Sequence, residues 1–302
     1  MAAAEAFERA SDYYARAGHL RASEVDAMSA HAERLYPTGS DAFTVLPFPQ
    51  MGHPWTVRRW AQVLWTLGAR WMHAGRADLA ELACDLVVDR GEQVQGIVRP
   101  AVRLVRAAAR QRRGNVEGAL EDLLAVEGDP EAHESTRVQA RVGRCLGTIV
   151  AGGNLDALDV HFLLSDASVT RGLFTAPARV ARALLAVGNG AYETALDELD
   201  HVVAAGTDDR HLMVDVLMIR AQVLYTLDRG GEAMVVLGTA KRLASGNEFM
   251  EVQVRLRRAV LEFEQLDERD LRALATEASS LAVRQPAARS IASAATFLLA
   301  WK

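Results

Sequence analysis

Apolar residues recur at intervals of three and four positions along most of the chain, which is the spacing of one face of an α-helix. Short segments containing glycine or proline interrupt this pattern at regular distances. One such break follows residues 2–17, and a second apolar pattern covers residues 21–35. The pattern therefore predicts an all-α fold whose helices follow one another in pairs, beginning with a hairpin at residues 2–35.

A repeat of 38 residues organises the chain, because an arginine followed by a small residue returns at that interval. The arginine ladder is Arg106, Arg144, Arg182, Arg220 and Arg258. Glycines in the predicted turns follow the same period, at Gly114, Gly152 and Gly190. A fixed period of this size is typical of a solenoid, in which each repeat buries its apolar face against its neighbours. We predict a tetratricopeptide-like α-solenoid of about seven helical hairpins with a terminal capping helix, forming a single domain over residues 1–302.

A proline-rich segment at residues 36–54 separates the first hairpin from the second. It holds four of the eight prolines, together with large apolar side chains that are costly to leave in water. We expect an ordered insertion packed on the first two hairpins. The helix after it contains four of the five tryptophans, and its spacing predicts that Trp60, Leu64, Leu67 and Trp71 are core residues. Trp65 lies away from that face and is a candidate aromatic platform for a small molecule.

Composition and motifs narrow the range of functions. The formal charge of −5 disfavours a general nucleic-acid-binding protein. No basic-then-apolar leader and no long apolar run is present, so we expect a cytoplasmic protein that does not enter the membrane. Catalytic and cofactor motifs are missing, which predicts a protein that is not an enzyme and has no cofactor. Asp197 and His201 share a helix face and could bind a metal ion. Because no third ligand is evident, we favour a surface hydrogen bond between them as the interpretation.

One repeat carries a resemblance to a known family. The segment Arg182-Ala183-Leu184-Leu185-Ala186 is followed by Gly190-x-Tyr192-x-x-Ala195-Leu196. The chain resembles a tetratricopeptide superhelix, in particular the sensor region of the maltose-regulon activators and of the large LuxR-type bacterial regulators. The resemblance implies a role in transcriptional or biosynthetic regulation. The phosphate-binding loop and the helix-turn-helix of those regulators are not found, so the chain is either a free-standing relative or a fragment of a larger regulator.

The arginine ladder has two interpretations. Acidic residues also recur every 38 positions, at Glu121, Asp159 and Asp197, so the two series can form ion pairs that hold the repeats in register. We expect Arg144, Arg182 and Arg220 to pair in this way, first with Asp159 and Asp197. The alternative is a basic strip that lines a concave groove for an anionic ligand or acidic peptide. Arg103 and Arg110 are expected to fill that role, pointing into solvent near Trp65 and Gln111.

The groove of the middle repeats is expected to be apolar. Its predicted positions are small or apolar, at Gly143, Gly147, Val150, Val180, Leu184 and Val187. The leading hypothesis is a non-enzymatic binding module that takes a small effector or a partner peptide in this groove. The alternative is an adaptor that only holds proteins together, without a small-molecule ligand. The predicted binding residues are Trp65, Arg103, Arg110, Gln111, Val150, Val180, Leu184, Val187, Gln222 and Tyr225.

Overall fold

The computed structural model describes residues 54–73, 76–90, 94, 98–165, 175–207, 209–285 and 288–302. Thirteen α-helices and no β-strand occupy these residues. They are α1 (Pro54–His73), α2 (Ala77–Val88), α3 (Val98–Arg112), α4 (Val116–Glu127), α5 (Glu134–Val150), α6 (Ala157–Ser165), α7 (Thr175–Gly188), α8 (Tyr192–Ala205), α9 (Arg210–Thr226), α10 (Gly230–Ala244), α11 (Glu248–Leu261), α12 (Glu268–Arg284) and α13 (Arg289–Trp301). The predicted hairpin at residues 2–35 and the proline-rich segment up to residue 53 lie outside the described residues.

The helices form consecutive hairpins, as the 38-residue period predicts. The described chain contains six pairs, from α1 and α2 to α11 and α12, followed by the single helix α13. An odd-numbered helix begins each hairpin and an even-numbered helix completes it, and we call these the first and second helices. The predicted all-α, tetratricopeptide-like α-solenoid is therefore confirmed. None of the described helices is long and apolar enough to cross a membrane.

The turns inside the hairpins repeat one backbone conformation. Gly114, Gly152 and Gly190 have φ angles of 78°, 78° and 73°, a left-handed region that favours glycine because it has no Cβ atom. Asp228 stands one period after Gly190 and keeps the same conformation, with φ of 61°. Aspartate tolerates this region better than most residues. The turn thus persists in a repeat where the glycine pattern ends.

The described residues up to 112, together with residues 117–140, form one compact unit, which contains α1 to α3 and most of α4. Helix α1 packs against both α2 and α3, so the two hairpins share a core. Trp60, Leu64, Leu67 and Trp71 are all buried in that core, as predicted. Near the end of the unit, a smaller cluster centred on Leu123 joins α3 and α4.

Residues 113–116 and the described residues from 141 onward form the second unit, which contains α6 to α13. Its larger core runs through α7, α8, α9, α10 and α11. A second core joins α11, α12 and α13, in which Ile291 and Ala295 are buried and Leu298 and Leu299 are partly buried. The predicted terminal capping helix therefore packs onto the last hairpin through these four residues.

Polar side chains cap the N-termini of three helices, α9, α11 and α12. The carboxylate of Asp209 accepts hydrogen bonds from the backbone N–H groups of His211 and Leu212, at 3.0 and 3.1 Å. Asn247 caps α11 and Asp267 caps α12 in the same manner. Each side chain satisfies backbone donors that a helix start leaves without a partner. The caps fix where these helices begin and therefore the register of the side chains they carry.

Candidate functional site

Arg106 and Arg110 of α3 belong to a buried network of charges. Arg106 donates from Nε and Nη2 to the two carboxylate oxygens of Asp122, at 2.8 and 2.5 Å, and from Nη1 to Asp85 at 3.0 Å. Arg110 donates to Glu81 at 3.1 Å and to Asp122 at 3.0 Å. The expectation that Arg110 points into solvent is therefore wrong. Three carboxylates of the neighbouring second helices surround it, and pairing stabilises the guanidinium more than solvent does.

The network changes the acidity of its members. Burial acts to lower the pKa of Arg106, but hydrogen bonds and charge from Asp122 and Asp85 outweigh it and raise that pKa. Burial also raises the pKa of Asp85, and its bond to Arg106 does not fully compensate. Two arginines and three acids leave no surplus positive charge at this place. The network is therefore an element of the scaffold and does not form an anion-binding strip.

The next hairpin has a similar pair, which the sequence predicted. Arg144 donates from Nη1 and Nη2 to the carboxylate of Asp159, at 2.7 and 2.9 Å. Arg141 adds a bond from Nε at 2.9 Å and lies over the ring of Phe162. Burial acts to raise the pKa of Asp159, but both arginines together lower it below its ordinary value. The expected pairing of Arg144 with Asp159 is confirmed.

Later arginines of the ladder have other partners than predicted. Arg182 donates from Nε to the carbonyl oxygen of Leu163 at 2.5 Å, and its Nη1 lies 3.8 Å from Glu198. Arg220 pairs with Asp200, at 2.5 Å. The predicted partner Asp197 is exposed and binds neither arginine. A shift of one residue along a helix turns a side chain by about 100°, so Glu198 faces the first helix where Asp197 faces water.

The first member of the predicted acidic series, Glu121, is also one residue away from the acid that forms the ion pair. Glu121 is exposed, and its neighbour Asp122 is the buried partner of Arg106. The other proposed pair, Asp197 and His201, makes only a local contact, between His201 Nδ1 and the Asp197 carbonyl oxygen at 2.7 Å. Among the residues that the structure describes, no group of three metal-ligating side chains is present.

The remaining predicted binding residues occupy different environments. Val180 is only 3% exposed and packs in the core of its hairpin, so its expected place in a groove is wrong. Leu184 and Val187 are partly buried and pack against the same core. Val150 is exposed at the end of α5, and Trp65 is 39% exposed on α1. Gln111 is partly buried.

Two predicted residues lie beside an arginine that the sequence reasoning missed. Gln222 and Tyr225 share one face of α9, because they are three residues apart. Arg257 of α11 donates from Nη1 to Oε1 of Gln222 at 3.1 Å, which joins the two adjacent first helices. Tyr225 and Val260, each three residues further along its helix, are 46% and 42% exposed. We call Gln222, Tyr225, Arg257 and Val260 the first-helix face.

Arg257 is partly buried without a matching negative charge. Within the described part of the chain, no carboxylate lies at ion-pair distance from it, and the amide of Gln222 is its hydrogen-bond partner. Burial lowers the pKa of Arg257, and the attraction of Asp215 opposes this only in part. A guanidinium in this position favours an added anion, because an anion restores the interactions with water that burial has removed.

A signal for Arg257 was present in the repeat. It stands 38 residues after Ile219, so a charged side chain replaces an apolar one at an equivalent position. Leu184 and Val187 are likewise one period before Gln222 and Tyr225. The replacement of an apolar residue by a charged one thus distinguishes Arg257. The arginines that recur every 38 residues, in contrast, pair with other residues of the scaffold.

An open depression of about 570 Å³ lies elsewhere, on α11 and α12. Its charged residues include Glu248, Arg272 and Glu277. Each of these is already paired, with Arg284, Glu268 and Arg255 respectively. The fourth charged residue of the depression, Arg269, is exposed and keeps its contact with water, whereas Arg257 on the first-helix face is partly buried.

Comparison with known proteins gives little further guidance. No family model and no curated protein matches the sequence. Among solved structures, the chain is similar to a tetratricopeptide repeat protein from Parabacteroides merdae ATCC 43184, with 15% sequence identity and a TM-score of 0.45. The similarity covers 98% of this chain and 100% of the other. It is too weak to bear on function, so the proposals below rest on the residues of this chain.

Proposed function

We propose that this protein is a non-enzymatic binding module whose first-helix face takes a partner segment with a carboxylate beside apolar side chains. The observation that carries this proposal is Arg257, a partly buried guanidinium with an amide partner and no ion pair among the described residues. A carboxylate from a partner would form the charge-assisted bond that Gln222 cannot provide.

The residues near Arg257 indicate that the partner segment carries apolar side chains beside its carboxylate. Tyr225 and Val260 expose large apolar area on neighbouring helices, and such area on a protein surface is typical of an interaction site when it is contiguous. Leu184 and Val187 occupy the equivalent positions one repeat earlier and are partly buried. An amphipathic segment can cover these positions in sequence, because each repeat presents the same points at a regular distance.

A regulatory role is part of the proposal. It is supported by the resemblance of the repeats to the sensor regions of bacterial regulators. A bound partner segment would favour one conformation of the stacked hairpins, and this change in conformation would report that the segment is bound. A small effector with a carboxylate is the alternative ligand, since it would meet the same guanidinium and the same apolar neighbours.

Selection from a random peptide library on the immobilised protein tests the proposal. We expect the selected peptides to be enriched in Asp or Glu flanked by apolar residues. Arg257→Gln should weaken their binding about tenfold or more, because it removes a charged hydrogen-bond donor. Arg255→Gln is the matched control, since Arg255 lies on the same helix, is exposed and pairs with Glu277.

Two results would contradict this function. Selected peptides without acidic enrichment, or equal binding to wild type and Arg257→Gln, would exclude Arg257 as the anchor. A panel of soluble metabolites in a thermal-unfolding assay tests the effector alternative, because a ligand raises the unfolding midpoint by mass action. If a carboxylic acid stabilises wild type and not Arg257→Gln, the ligand is an effector and the partner segment is wrong.

A further inference from the structure

Two arginines near the start of α3 differ from the rest of that helix. Arg99 and Arg103 are four residues apart, so their side chains lie one above the other on the same face. The Nε atom of each is enclosed by the protein and has no hydrogen-bond partner. Both residues remain partly exposed, so part of each side chain is in contact with solvent.

Neither arginine has an ion-pair partner among the residues that the structure describes. The acids that attract Arg103 are Asp122 and Asp129, and both are occupied elsewhere. Asp122 is held by Arg106 and Arg110, and Asp129 accepts a bond from the backbone of Glu131 at 2.9 Å. The acidic network around Arg106 and Arg110 therefore does not extend to Arg99 and Arg103.

Their placement is unfavourable in the absence of a ligand. Burial and the neighbouring charge of Arg99 both lower the pKa of Arg103, which means that the two cations repel one another. Arg99 also lies in the first turn of α3, which contains no acidic residue. The positive end of the helix dipole lies at that turn, so a cation there is disfavoured and an anion is favoured.

We propose that Arg99 and Arg103 form a binding site for a doubly charged oxyanion, either inorganic phosphate or the phosphate group of a soluble phosphomonoester. Two guanidinium groups carry two positive charges, and a dianion balances both. Each group can donate two parallel hydrogen bonds, which matches the several acceptor oxygens of a phosphate. A single carboxylate would leave one positive charge uncompensated. This site lies in the first compact unit and is independent of the function proposed for Arg257.

Thermal unfolding of the full chain in inorganic phosphate, at constant ionic strength, tests this site. We expect phosphate at ten times its dissociation constant to raise the midpoint by about 3 °C. Phenyl phosphate distinguishes the two sources: stronger binding than inorganic phosphate indicates a phosphomonoester, and equal or weaker binding indicates free phosphate. Acetate at the same ionic strength should have no effect.

Arg99→Gln and Arg103→Gln should each weaken phosphate binding about tenfold or more, measured by titration calorimetry. Without phosphate, either substitution should leave the midpoint unchanged or raise it, because it removes a repulsion. A purely structural arginine would behave in the opposite way. Arg137→Gln is the matched control, since Arg137 is exposed on α5 in the same compact unit. It should respond to phosphate as wild type does.

The proposal is overturned if phosphate leaves the wild-type midpoint unchanged, or if acetate stabilises as strongly as phosphate. It is also wrong if the glutamine variants bind phosphate like wild type. A glutamine variant that fails to fold is checked with Arg103→Lys. If Arg103→Lys also loses stability, the arginine is a structural residue and the site is excluded. A folded Arg103→Lys with weakened phosphate binding supports the site, because lysine keeps the charge and loses the two-point geometry.

Discussion

Arg106 and Asp122, sixteen residues apart on the two helices of one hairpin, are joined by two parallel hydrogen bonds. Both side chains are almost completely buried, with 10% and 3% of their surface exposed. Such a pair is costly to break from one side, since the remaining charge then lies buried without a partner. The pair therefore holds the first helix against the second at one defined register.

The first prediction is that Arg106→Ala strongly destabilises the protein. The free energy of unfolding should fall by about 3–5 kcal/mol, because Asp122 would retain only Arg110 as a partner. Urea unfolding followed by circular dichroism measures the change. Arg272→Ala is the control, since Arg272 forms an exposed pair with Glu268 on its own helix and should matter little. Similar losses in the two variants would contradict a special role for the buried pair.

The second prediction concerns the dependence of stability on pH. The pKa of Asp159 lies below its ordinary value of 3.8, because Arg144 and Arg141 outweigh the effect of burial. A carboxyl group of this kind contributes stability that is fully present above its unfolded pKa and is lost as the pH falls through its folded pKa. The stability difference between wild type and Asp159→Asn should be constant from about pH 7 to about pH 5 and shrink below about pH 4. A difference that stays constant to about pH 3 would show that Asp159 is not stabilised by its charge.

The third prediction compares two glycines in the same hairpin. Gly190 has φ of 73°, so Gly190→Ala forces a side chain into a left-handed conformation and should cost about 1–2 kcal/mol. Gly188 lies in α7 with no atom close to a Cβ built on it. Gly188→Ala should therefore stabilise the protein, by up to about 1 kcal/mol, since alanine is the better helix former. Equal effects of the same sign in thermal unfolding would contradict this account.

The fourth prediction concerns the thiols. Cys84 is buried, and burial raises the pKa of its thiol to about 12. Cys145 is also a buried, free cysteine. Because the thiolate is the reactive form, neither residue should react with a thiol reagent in the native protein near neutral pH. Two equivalents should react after unfolding in urea, whereas fast labelling of the native protein would show that one thiol is accessible.

The period of 38 residues by itself determined the fold class. It placed the hairpins and the turn glycines at Gly114, Gly152 and Gly190, and the helical spacing of apolar residues placed the core tryptophans Trp60 and Trp71. These features could be predicted because each depends on neighbours within one or two repeats, and the apolar spacing records those contacts directly. The proposal that residues 1–302 form one domain remains a prediction.

Only the tertiary structure decided which charges are paired. A common period of arginines and acids does not show which way each side chain points, and one helical step separates Asp122 from Glu121 and Glu198 from Asp197. The same limit applies to the candidate sites. Arg103 and Arg110 lie seven residues apart on one face of α3, yet only Arg110 reaches the acids of a neighbouring helix. Repeat spacing determines which helices meet, whereas the rotation of each helix about its axis determines which charges are left for a ligand.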